Sequence, residues 1–407
     1  MKSHKARLPV GLTGLLGLAL ALGGCAKSGG GGSAAESVDD MEKVKLSFQT
    51  QAPPAHPFGI AQQAFVDEIA KETNGKVTIE PYFSGSLLAG DEDLSGLETG
   101  VADMGALFAS YHPQELPVTN WFAQMQSPRA DTAPHGLVQA GAALHKFVNN
   151  SDALVKEYEE HNLVLLGASS GASNVNLLCK DPITSLDDVK GTRVRVAGPV
   201  YADEMKALGF TPVSLTTPEI YEALERGVVD CELNDPTSMV ALGWWEVAKA
   251  FHAIPGSGQA NAMMVVNRDT WESLPDDVHK IMRSAMQNYN GRILEAGLDG
   301  YKNFAEGADA QGLTFVDPQT LAEPLEAYQE TYMGKGLIDD APPSIDDPEK
   351  FIQDWRSALD WGMDVAVENV GYEAEGVTTP EQIRDSFLAG PDDVDISKFV
   401  DALNKES

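Results

Sequence analysis

Basic residues are scarce in this 407-residue chain: 29 lysines and arginines stand against 61 aspartates and glutamates, a net charge of −32. So acidic a chain repels phosphate backbones and anionic headgroups, which excludes nucleic acid as a partner and lipid binding through basic patches. An anion can still be held where the local field is positive, and the overall charge describes a solvated acidic surface. Cysteine is nearly absent, with only Cys25, Cys179 and Cys231. There is no H-E-x-x-H and the eight histidines are scattered, so no metal site stands out. No glycine-rich phosphate loop follows a strand, and no cofactor is expected. After residue 22 no apolar run is long enough for a transmembrane helix.

What is present at the N-terminus sets the compartment. Lys2, Lys5 and Arg7 precede an apolar run over 8–22, then Leu22-Gly23-Gly24-Cys25. A basic start, a short apolar stretch and small residues before the cut describe a secretion signal over 1–24. A cysteine directly after the small residues resembles a bacterial lipobox, which predicts a lipidated Cys25 as the mature first residue. The Gly/Ser-rich stretch within 25–43 reads as a flexible tether. Losing three basic and no acidic side chains with the signal takes the net charge from −32 to −35. The remaining length suits two domains with cores of their own.

Along the body, strands are expected at 44–50, 76–83 and 101–108, separated by helices after His56-Pro57 and after Asp91. Residues 133–160 read as helical, 163–168 and 262–267 as strands, and 276–310 as a long helix with a break near Gly291. Two further helices are expected at 351–369 and 380–388. The segment 185–236 carries a second β-α-β-α-β run with connections of a few residues, the pattern of a parallel sheet. Ligands on such sheets bind beyond the carboxyl ends of the strands.

Two arginines, Arg193 and Arg195, share one face of a strand in that segment. Arginine stays charged at physiological pH and its planar fork holds a carboxylate with two hydrogen bonds. Arg195, nearer the carboxyl end, is better placed to reach a cleft; a surface ion pair is the bland alternative for either. Asn174, Asn176, Asn234 and Asp235 are candidates to satisfy ligand hydroxyls. His56, Phe108, Trp121 and Tyr221 complete the candidate site, the aromatics as a hydrophobic wall, with core packing as the alternative.

Two other patterns bear on chemistry and compartment. Gly167-Ala168-Ser169-Ser170-Gly171 matches the G-x-S-x-G nucleophile elbow, but a helix must follow and residues 172–179 are strand-like, so a hydrolase using Ser169 is disfavoured. With Cys25 lipidated, Cys179 and Cys231 remain in strands flanking 185–230. Outside the cytoplasm they are expected to pair; separately buried thiols are the alternative.

Taken together, TNGKVTIEPYF (73–83), LETGVADMG (97–105), SLDDVKGTRVRV (185–196), PEIYEALERGVVD (218–230) and VVNRDTWESL (265–274) resemble the extracytoplasmic solute-binding proteins of TRAP transporters, of the DctP type. The resemblance implies an α/β, two-lobed periplasmic-binding-protein-like clamshell with mixed sheets, long bracing helices and a helical C-terminal tail. It implies lobe I over 44–172 and 261–300, lobe II over 173–260, and bracing helices over 301–407. The family arginine that grips a ligand carboxylate, in the pattern K-G-x-x-x-R-V, falls on Arg195. Small and large membrane permease subunits are the implied partners, with an ABC-type or sensory lipoprotein as the alternative. A second basic residue common in the family would fall near Val175, where only Asn174 and Asn176 flank it, which points to a monocarboxylate. Replacing Arg195 by alanine is expected to abolish binding with little change in melting temperature.

Overall fold

A computed structural model describes residues 37–406 apart from 126–132, 171–173, 259–261, 333–335 and 372–376. The signal segment and Cys25 lie outside the described residues. Among the described residues eleven strands make two sheets. In chain order they are β1 (Val44–Thr50), β2 (Val77–Tyr82), β3 (Met104–Phe108), β4 (Leu163–Ser169), β5 (Val175–Cys179), β6 (Arg193–Val196), β7 (Thr211–Ser214), β8 (Cys231–Asn234), β9 (Ala250–Gly256), β10 (Ala262–Asn267) and β11 (Thr314–Phe315). The first sheet runs β2-β1-β3-β10-β4 and the second β11-β9-β5-β8-β6-β7. In the first sheet β10 is antiparallel to both of its neighbours; in the second, β5 is antiparallel to β8 and β9. The chain passes to the second sheet between Ser169 and Val175 and returns between Gly256 and Ala262. Two α/β lobes result, and because β11 lies in the second sheet the chain crosses once more after β10.

Local sequence explains most elements. In β2, Val77 and Ile79 are buried while Thr78 and Glu80 are exposed, the period-two alternation of a half-covered strand. Helix Pro57–Glu72 starts on a His56 cap with proline in its first turn, and Asn74 and Gly75 leave it in the left-handed region. Residues 133–160 form two helices, His135–Asn149 and Asp152–Glu160, because Ser151 caps the second by accepting from Leu154 N–H.

Helix Asp276–Gln311 runs unbroken through 36 residues and packs on helix Pro57–Glu72 of the first lobe and helix Pro236–Ala241 of the second. Gly291 does not interrupt it. That position is a close approach, since a Cβ there would lie 2.6 Å from Val400 Cγ2 of helix Ile396–Asn404.

The tail beyond residue 336 grips both lobes. Phe351 and Trp355, on helix Pro348–Val370, pack against Phe122 and Phe147 of the first lobe. Phe387, on helix Pro380–Phe387, packs against Phe251, Phe304 and Phe315. The expectation of helices alone after residue 301 needs one correction. β11 joins the second sheet, with Thr314 N–H bonded to Lys249 O and Val316 N–H to Phe251 O.

Candidate ligand-binding site

The carboxyl ends of β6 and β8 lie side by side, with Arg195 in register with Glu232. Arg195 is 1% exposed. Its Nε donates to Leu215 O at 2.8 Å and its Nη1 to Glu232 Oε1 at 3.2 Å. Arg193, two residues earlier on the same strand, is half-exposed and bound by both Nε and Nη2 to Asp230, at 3.0 and 2.8 Å. The two arginines therefore differ: Arg193 closes a peripheral ion pair and Arg195 stands in a dry interior.

Glu232 is the residue that reading the sequence missed. It is wholly buried, and burial pushes its carboxyl up to about 7 against the pull of Arg195 and of a 3.0 Å hydrogen bond from Asn234 Nδ2. Its position two residues before Asn234 puts both side chains on one face of β8. That much was available from the sequence; the β6–β8 register that brings it to Arg195 was not.

The remaining candidates are distributed as follows. Asn176 Oδ1 accepts from Ile254 N–H and its Nδ2 donates to Asn174 O, so it secures the β5–β9 irregularity. Asn174 is buried, and its Oδ1 has no partner among the described residues. Asn234 bonds Glu232 and accepts from Asp235 N–H. Asp235 corrects the expectation of a ligand-facing carboxylate: it caps helix Pro236–Ala241, accepting from Thr237 Oγ1, Ser238 N–H and Ser238 Oγ. Trp121 is a second correction. It is buried in the first-lobe core, its Nε1 bonded to Leu337 O and its ring against Phe351, because the tail offers it a partner that a cleft would not. Tyr221 is partly exposed, with its ring near Gly243. Phe108 ends β3 and meets Phe58 edge-on and Tyr111 at a tilt.

His56 and Tyr111 of the first lobe each bond a residue of the second. His56 Nδ1 accepts from Phe58 N–H, so the proton sits on Nε2 and is donated to Ser238 Oγ at 3.0 Å; Ser238 in turn donates to Asp235. Burial holds His56 below its ordinary value, with Asp235 pulling the other way. Tyr111 Oη accepts from Thr217 N–H at 3.3 Å and lies 3.0 Å from Thr217 Oγ1. A groove of about 560 Å³ opens here, lined by Ser110 and Tyr111 from the first lobe and by Val196, Gly198 and Leu215 from the second. A larger groove, about 1030 Å³, lies between the outer helices far along the chain from Arg195 and carries no comparable buried charge.

Gly198 sets how near the lobes come. Its φ of −175° is ordinary extended backbone, but a Cβ would sit 2.9 Å from Ser110 Cβ across the groove. Gly198→Val is expected to lower the melting temperature of the free protein, because the added atoms meet Ser110 in this structure. It should also weaken ligand binding by about tenfold or more, because the two lobes can no longer approach as closely at the groove. Calorimetry showing wild-type affinity would remove this contact from closure.

Ser169 is deeply buried at the end of β4, 3.5 Å from Tyr289 Oη, and the next regular element is β5, a strand. A nucleophile elbow needs a helix there.

The family model for bacterial extracellular solute-binding proteins of family 7, DctP, matches residues 48–334. This chain belongs to that family, the extracytoplasmic receptors of TRAP transporters. The receptor is 28% identical over 250 residues to the C4-dicarboxylate-binding periplasmic protein DctP of Rhodobacter capsulatus, covering 60% of this chain and 71% of that one. It is 26% identical over 259 residues to a monocarboxylate 2-oxoacid-binding periplasmic protein of Nostoc sp., covering 62% and 68%. A marine metagenome TRAP solute-binding protein in complex with pyroglutamate shares its fold, with a TM-score of 0.67 at 19% identity over 78% of this chain and all of that one. So does a Desulfovibrio salexigens protein with bound orotic acid, with a TM-score of 0.66 at 18% identity over 79% and 100%. The family is one of receptors and not of enzymes. Residues after 334 lie outside the family match, and among the described residues no helix is long and apolar enough to cross a membrane.

Proposed function

We propose that this receptor captures an organic monocarboxylate on Arg195 as its lobes close, and hands it to TRAP membrane subunits while tethered by a lipidated Cys25. The observation carrying the reading is a buried guanidinium fixed by the carbonyl of Leu215, a residue that lines the groove to which both lobes contribute. An arginine fork has five donors; Nε is engaged by Leu215 O and Nη1 by Glu232 Oε1, so the fork has capacity for a carboxylate. In that low-dielectric setting a charge-assisted bond is stronger than in water. The ligand drives closure by binding the closed form better than the open one. Glu232 beside Arg195 disfavours a second ligand carboxylate, which supports monocarboxylates over four-carbon dicarboxylates. The lipid tether rests on the sequence around Cys25, and the membrane partners on family membership.

A thermal-shift panel of pyroglutamate, D-glucuronate, orotate, 2-oxoacids and four-carbon dicarboxylates tests the reading. A monocarboxylate present at about a hundred times its dissociation constant stabilises the native state by about 2.7 kcal/mol. Stabilisation by succinate or malate in preference to every monocarboxylate would reverse the assignment, and silence across the panel would refute it.

A further inference from the structure

Glu232 has two oxygens in different situations. Oε1 is held by Arg195 and Asn234; Oε2 is buried with no hydrogen-bond partner among the described residues. Asn174 Oδ1 is likewise without a partner. Asn174 precedes β5, where Asn176 faces Asn234 across the β5–β8 ladder, so it stands at the same end of the sheet. Acceptors left unmade in a dry interior are costly, and the site is short of donors rather than of acceptors.

The charges say the same. Arg195 is the cation of the cluster, while Glu232 and Asp235 both face inward; Asp235 adds to the upward push on Glu232. A ligand offering a bare carboxylate answers Arg195 and leaves Oε2 as it was. One that also brings an O–H or N–H group answers both.

We propose that Glu232 is a specificity-determining residue whose Oε2 accepts a hydrogen bond from an O–H or N–H group that the ligand carries next to the carboxylate held by Arg195. The ligand class is then a 2-hydroxy acid or a lactam acid, in preference to an unsubstituted carboxylic acid. This rests on the reading of Arg195 as the carboxylate clamp. The register argues for adjacency: Arg195 and Glu232 are direct partners on neighbouring parallel strands, so a carboxylate on the guanidinium brings its substituents to Glu232.

The test is calorimetry with pairs differing by the donor: lactate against propanoate, mandelate against phenylacetate, and pyroglutamate against 3-oxocyclopentanecarboxylate. The protein is compared with Glu232→Gln. In that variant the amide oxygen stays on Arg195 and Asn234 and the NH2 group takes the place of Oε2, so a donor replaces an acceptor. The wild-type protein is expected to bind the donor-bearing member of the preferred pair at least about tenfold more tightly, as sites built to pair a hydroxyl or amide reject analogues without one. In Glu232→Gln that preference should fall to about threefold or less. Glu232→Met, which removes the acceptor without adding a donor, gives the same comparison should the glutamine variant not fold. Equal wild-type affinity within every pair, or full preference kept in both variants, overturns the role of Glu232; if Arg195→Lys still weakens both members, the carboxylate clamp survives. Failure of every probe to bind wild-type protein sinks the clamp, and this assignment with it.

Discussion

Arg195→Ala should abolish ligand binding and also lower the stability of the free protein, with a penalty that grows with pH. The sequence suggested a binding defect with an unchanged melting temperature; the structure revises the second half. Arg195 and Glu232 are 1% and 0% exposed, and breaking such a pair costs about 3–5 kcal/mol when the surviving charge is stranded. Glu232 has an escape, because a carboxyl already pushed up to about 7 takes a proton readily. Its folded value lies above the unfolded one, so its contribution to stability is full below the ordinary carboxylate range and is lost as pH rises through about 7. Without Arg195 to pull it down, the carboxyl rises further and the loss continues to higher pH. At pH 5.5, with Glu232 neutral in both proteins, the variant bears mainly the cavity and the lost bond to Leu215 O. Above pH 7 the gap widens by about 1.4 kcal/mol per pH unit until the variant's own carboxyl ionises. Denaturant titrations at pH 5.5 and 8.5 measure this, and adding Glu232→Gln should flatten the dependence. A penalty equal at the two pH values means that Arg195 does not hold Glu232 ionised, and retained affinity takes Arg195 out of the site.

The architecture could be read because it is written in local signals. Short connections around 185–236 give parallel strands, and alternation in 76–83 gives a half-covered one. What failed depended on distant partners. Trp121 beside prolines reads equally well as a cleft wall or as core, and the residues deciding it, Leu337 and Phe351, lie more than 200 positions away. Glu232 escaped notice because strand register is set by the assembled sheet. Asp235 was different: an aspartate followed by proline and then Ser238 is a helix-start pattern, and the local rule would have assigned it to capping. Propensity alone marks Gly291 as a break, whereas packing against Val400 makes it a point of close approach within one unbroken helix.

Removing both cysteines of the second lobe should cost about 4 kcal/mol of stability. Cys179 and Cys231 are bonded to each other, standing opposite on β5 and β8. Their bond closes a loop with a sequence separation of 52, and in the chain-entropy account a loop of that length removes about 4 kcal/mol of freedom from the unfolded chain. The loop holds β6, β7 and helices Pro199–Leu208 and Ile220–Glu225, which is the unit that presents Arg195. Both cysteines are buried, so a reductant needs prior opening of the lobe and is a poor probe of the folded state. The paired variant Cys179→Ala with Cys231→Ala is the cleaner experiment. With an unfolding entropy of about 2.1 cal/mol/K per residue, the melting temperature should fall by roughly 5 °C. Alkylation before intact-mass measurement gives the independent check: the wild-type protein, unfolded without reductant, should leave both residues unmodified, and with reductant should modify both. Affinity is the more telling measurement. The β-ladder still joins β5 to β8 in the variant, so the folded site keeps its geometry and the variant should bind its acid within about threefold of wild type at temperatures well below its melting point. A large loss of affinity at full folding would mean that the bond acts on the native cleft, holding β8, and with it Glu232, against β6.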